Sequence, residues 1–186
     1  MSALSALLHI GDVLHPQRRY ELAADYVAGA LDVHLHDHPA RIASLDDAAQ
    51  RVGACAAGVF TAVRSNDIEK CAQAFTALAV ATLRVSAELP DPYQLSQDRA
   101  YGCARQNAWG ELLSANEKYP RTWASVHEGL GVVMEKVVEF VEAAVAGAVE
   151  DTRAEGAQVV AMCVRFLADL TNVGAAAGAV ASRGAA

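Results

Sequence analysis

Four prolines, Pro39, Pro90, Pro92 and Pro120, divide this chain into blocks within which apolar residues recur at the period of a helix. Proline has no amide donor and its ring clashes with the preceding turn, so it is tolerated between helices and not inside them. The blocks are rich in Ala, Val and Leu and carry almost no alternating run of β-branched residues, so the chain reads as all-α. The spacing predicts helices over 17–36, 45–65, 67–89, 97–117, 124–149 and 151–171. Ser44 precedes an Asp-rich first turn and Ser125 a His-Glu pair, both N-cap signals. A chain of 186 residues is long enough to bury a substantial core around such a bundle.

Sliding the sequence by 81 residues, the separation of Pro39 and Pro120, superimposes the predicted helices. Ala43-Ser44 then meets Ala124-Ser125. Arg18, Tyr20, Leu31, Val52, Glu69, Arg84 and Leu89 meet Arg99, Tyr101, Leu112, Val133, Glu150, Arg165 and Leu170. Shared boundaries together with identities point to an internal duplication, residues 17–89 against 97–171. The alternative is two unrelated helical hairpins with similar periodicity.

Charge and composition exclude several classes of function. A net charge of −7 opposes phosphate-backbone binding, which needs concentrated positive charge, so no nucleic-acid partner is expected. Cys55, Cys71, Cys103 and Cys163 form no CxxC pair and fit reduced thiols in a cytoplasmic protein. The apolar residues 1–14 lack a basic start and a cleavage pattern and are too short to span a bilayer, so no membrane segment is expected. The segment 1–16 stands outside the repeat, and the Gly/Ala-rich residues 172–186 read as a flexible tail. P-loop, dinucleotide-binding and nucleophile-elbow motifs do not occur.

The stretch from His127 to Phe140, HEGLGVVMEKVVEF, is the one most suggestive of chemistry. On a helix Glu128, Glu135, Glu139 and Glu142 form one stripe, opposite Leu130, Val133, Met134, Val137, Phe140 and Val141. Such a stripe is either a solvated surface face or a metal-binding edge. The next helix is apolar except for Glu155, Gln158, Arg165 and Asp169, and a hairpin connection brings Glu155 toward the preceding carboxylates. Clustered acids repel unless a cation sits among them, and a hard cation such as Mg2+ takes oxygen ligands of this kind.

The segments WASVHEGLGVVMEKVVEFVEAAV and EGAQVVAMCVRFLADL resemble the MazG-like all-α nucleotide pyrophosphohydrolases. That family carries EExxE on one helix and an ExxD-type motif, sometimes ending in Gln, on the next. The resemblance covers residues 97–171 and, through the 81-residue repeat, extends to the first half. It implies an all-α helical bundle of two tandem MazG-like repeats that form an intramolecular pseudo-dimer or a homodimer. It further implies that Glu135, Glu139, Glu155 and Gln158 hold Mg2+, or Mn2+, with Glu135 and Glu139 as the catalytic pair. A nucleoside triphosphate would then be cleaved to the monophosphate and pyrophosphate.

Lys118, Arg121 and Arg165 are either phosphate contacts or ordinary salt-bridging residues, and Trp123 either stacks on a base or belongs to the core. Glu128 is grouped with them as substrate-facing. Lys136 stands where the family has its second glutamate, and in the first half Ala54, Gly58, Ala74 and Ala77 replace the acids and the amide. The rival expectation is therefore a catalytically inactive bundle that binds a nucleotide or a protein partner, its acids tied up by the lysine ammonium. HLHDHP, with His34, His36, Asp37 and His38, reads as a helix end or, alternatively, as a transition-metal site.

Overall fold

The computed structural model describes residues 16–90 and 93–171, and these form a bundle of six α-helices with no strand among the described residues. The helices are α1 (Pro16–Asp37), α2 (Leu45–Arg64), α3 (Ile68–Glu88), α4 (Gln97–Lys118), α5 (Val126–Val145) and α6 (Val149–Leu170). The expected N-terminal segment and the Gly/Ala-rich tail lie outside the described residues. No helix among those described is long and apolar enough to cross a membrane.

The 81-residue register reappears in the geometry. It carries both ends of α1 onto α4, both ends of α2 onto α5, and the start of α3 onto that of α6. Ser44 accepts from the Asp47 amide at 3.1 Å and Ser125 from the Glu128 amide at 3.2 Å. Asp47 and Glu128 reach back to the Ala43 and Ala124 amides at 3.3 and 2.7 Å, closing the same capping box at both helix starts. The turns that follow place Asn66 and Gly147 in the left-handed region at matching positions (φ 54° and 78°), a conformation glycine adopts freely and asparagine tolerates.

Three expected boundaries differ by two residues or more: α5 starts at 126 against the expected 124, α6 at 149 against 151, and α5 ends at 145 against 149. The turn between α5 and α6 spans residues 146–148, four residues earlier than the sequence reading put the end of α5. The Ala-Val run there has no polar break, and only the left-handed backbone at Gly147 ends the helix.

The middle of the bundle is the contact between α3 and α6, whose C-terminal halves are buried on nearly every side. Phe75 and Phe166 stack there with ring centroids 3.5 Å apart. Around this pair α2 packs on α3 and on α5, and α5 packs on α6. α1 contacts both α3 and α6, and α4 likewise contacts both, so each half lays its first helix partly on the other half's central helix.

Candidate functional site

Each central helix carries a basic residue followed four positions later by an acidic one, and their surroundings correspond closely. On α3, Arg84 donates to the carbonyls of His38 (2.9 Å) and Ala40 (2.6 Å), while its Nε reaches Glu88 at 3.1 Å. On α6, Arg165 donates to the carbonyls of Tyr119 (2.6 Å) and Arg121 (2.8 Å). Glu88 accepts from the Ile42 amide and Asp169 from the Trp123 amide. Both arginines thereby tie down the loop that leads into the next helix. Such buried guanidinium groups are tolerable because they are hydrogen-bonded and paired.

The correspondence breaks at Nε. The Asp169 carboxylate, one methylene shorter than that of Glu88, comes only to 3.5 Å from Arg165 Nε, which is left buried without a hydrogen bond. The Arg165 guanidinium instead lies over the Trp123 ring, 5.3 Å from its centroid.

Arg165 opens onto a cleft of about 670 Å³ between α4, α5 and α6. All five residues expected to face substrate, Lys118, Arg121, Trp123, Glu128 and Arg165, line it, as do Glu135, Lys136 and Gln158. Trp123 is only 8% exposed and packs beside Phe166 and Gly129, so its indole is chiefly core wall. Glu128 pairs with Arg121 and caps α5. The Arg121 hydrogen bond, with the Ala124 amide, holds its carboxyl below the usual range. Lys118 lies over the Tyr119 ring at 5.2 Å.

The acidic end of the cleft is about 10 Å from Arg165, since Gln158 and Arg165 lie seven residues apart on α6. There Lys136 Nζ is 2.7 Å from Glu139 and 4.0 Å from Glu135. The hydrogen bond it donates to Glu139 holds the lysine ammonium above its ordinary pKa, against the opposing effect of desolvation. Gln158 Nε2 donates to Glu155 at 3.0 Å. Burial, and then the charge of Glu139, raise the Glu155 carboxyl. Glu111 of α4 also faces this end and adds to that rise. Its participation was missed by the sequence reading, because nothing in the α4 pattern marks which polar residue meets α6.

These side chains do not fit a divalent cation as they stand. The Lys136 ammonium takes the Glu139 oxygen, Gln158 turns a donor toward Glu155, and the Glu135 side chain is 66% exposed. Among the described residues, no three His, Cys, Asp or Glu side chains are gathered as a metal would gather them. That includes HLHDHP, where the His34 and His38 rings lie 4.6 Å apart at the end of α1; burial, then the Arg84 charge, lowers the His34 pKa. The four cysteines are free thiols.

Comparison with protein-family models, curated proteins and solved structures finds no match to this chain.

Proposed function

We propose that the chain is a tandem MazG-like bundle that binds a nucleoside triphosphate in the α4–α5–α6 cleft without hydrolysing it, its first half serving as an intramolecular partner that carries no site. The observation that carries this reading is Lys136, whose ammonium bonds Glu139 at 2.7 Å and faces Glu135 at 4.0 Å. An ammonium there supplies one positive charge where a magnesium ion would bring two, and it polarises no water and bridges no phosphates. Binding is supported by the lining: in a chain of net charge −7, this cleft presents Lys118, Arg121, Lys136 and Arg165 against Glu111, Glu128 and Glu135. Its volume lies within the range of small-molecule sites.

The test is calorimetric titration with a panel of ribo- and deoxyribonucleoside triphosphates, with and without Mg2+, alongside an assay for released pyrophosphate. Binding that persists in a chelator, with no pyrophosphate formed, is the expected result. Mg2+-dependent pyrophosphate release from any nucleotide would instead make the chain an active pyrophosphohydrolase, and absence of binding throughout would remove the nucleotide reading altogether.

A further inference from the structure

The two ends of the cleft differ in charge. Around Lys136 stand Glu135, Glu139 and Glu155, so three carboxyl groups face one ammonium that Glu139 already engages, and Glu111 adds its charge at Glu155. At the other end Lys118, Arg121 and Arg165 stand against Glu128 and Asp169. Without a metal the first end repels a polyphosphate and the second attracts it.

Arg165 also keeps unused donor capacity. Its Nη2 serves two carbonyls, its Nε is buried without a hydrogen bond, and its Nη1 makes none. Arg84, its counterpart, engages Nε, Nη1 and Nη2 together. Glu88, which accepts from the Tyr101 hydroxyl and the Ile42 amide, still reaches Arg84, so the difference comes from Asp169, whose side chain is one methylene shorter. Its Oδ1 accepts from the Tyr20 hydroxyl at 2.9 Å and its Oδ2 from the Trp123 amide at 3.2 Å. Tyr20 belongs to α1, in the other half of the chain.

Building on the nucleotide reading, we infer that Arg165 seats the phosphate end of the ligand, at the pole of the cleft away from the acidic cluster, because the short side chain of Asp169 leaves it unsaturated. Arg165 is the binding group, offering phosphate oxygens the Nη1 that makes no other hydrogen bond, while Asp169 is a positioning residue. The uncharged end of the ligand lies toward Gln158, whose side-chain oxygen accepts from hydroxyl or amino groups.

Asp169→Glu tests this directly, because it rebuilds at α6 the saturated pairing that Arg84 and Glu88 already adopt in the same fold. Full-length protein is titrated with inorganic tripolyphosphate and, separately, with a nucleoside triphosphate, both without divalent cation, and thermal unfolding verifies the fold of each variant. Asp169→Glu and Arg165→Lys should each weaken both ligands by at least about tenfold. Gln158→Leu should weaken the nucleotide and leave tripolyphosphate unchanged. In the unsubstituted protein, the Arg165 Nε–H resonance should shift on adding tripolyphosphate.

Nucleotide binding unaffected by Asp169→Glu and Arg165→Lys would overturn the seat while leaving the nucleotide reading intact. Loss of tripolyphosphate in Gln158→Leu would reverse the orientation. Tripolyphosphate binding that responds as expected, with no nucleotide bound, would keep the seat and refute the nucleotide. Failure of both ligands to bind would refute both.

Discussion

Tyr20 and Asp169, 149 residues apart, are joined by a hydrogen bond of 2.9 Å from phenol to carboxylate, and 81 residues further on Tyr101 makes the reciprocal bond to Glu88. Each tyrosine sits on the first helix of one half and reaches the central helix of the other. The two halves are thus locked by a pair of exchanged contacts around the stacked Phe75 and Phe166 rings.

These phenols should titrate late. Burial, then the Asp169 charge, pushes Tyr20 from 10.0 up to about 12, and burial with the Glu88 hydrogen bond moves Tyr101 the same way. Because the folded pKa lies above the unfolded one, the stabilisation is complete below about pH 10 and is lost as pH rises toward 12. A tyrosinate absorbance titration should show a late phase of two phenols, and Tyr20→Phe should remove one of them. Unfolding midpoints in urea should fall between about pH 10 and pH 12.

Arg84→Met should be strongly destabilising. Arg84 and Glu88 have side chains only 2% and 1% exposed, so removing the guanidinium leaves a buried carboxylate and two loop carbonyls without it. A loss of about 3–5 kcal/mol is expected from breaking such a pair, measured by equilibrium urea unfolding. Arg18→Ala, which breaks an exposed pair with Glu21, should change stability by less than about 1 kcal/mol.

Two glycines of α5 should respond with opposite sign. A Cβ on Gly129 would stand 2.7 Å from Phe166 Cδ2 and 2.8 Å from Trp123 Cε3, whereas one on Gly131 would meet nothing within 4 Å. Gly129→Ala should cost about 1–3 kcal/mol through overpacking against two core rings. Gly131→Ala should gain about 0.5–1 kcal/mol in helix propensity. Thermal melts of the two single variants decide the matter.

Lys136→Glu should convert the acidic end into a cation site. It removes the ammonium that Glu139 engages and adds a carboxyl next to Glu135 and Glu155. The variant should melt lower than the parent in chelator, regain stability on adding Mg2+, and show a calorimetric Mg2+ isotherm that the parent lacks. Equal melting with and without Mg2+ in both proteins would count against it.

The helices were legible because their signals are local. Ser44 and Ser125 at the N-caps and the polar Ser65-Asn66-Asp67 break between α2 and α3 place those boundaries within about two residues. The matching break between α5 and α6 is Ala146-Gly147-Ala148, whose residue types are compatible with a continuing helix, and it was misplaced. The candidate cleft was legible in part. Glu128 and Glu135, and Gln158 and Arg165, fall seven residues apart on their helices, so periodicity alone puts each pair on one face. Glu111, on a helix distant in sequence, carried no such signal.

By itself the sequence determined an all-helical chain, the offset of 81 residues that relates its parts, and the side chains offered by each helix face, because propensity, capping and periodicity act over a few residues. The tertiary structure decided which of those side chains are satisfied. That Arg84 is saturated and Arg165 is not depends on one methylene between Glu88 and Asp169, since a tyrosine from the opposite half bonds each carboxylate alike. That Glu155 joins Lys136 and Glu139 depends on how α5 lies against α6. Hydrogen-bond capacity is a count over neighbours in space, and in this bundle the deciding neighbours lie far apart along the chain.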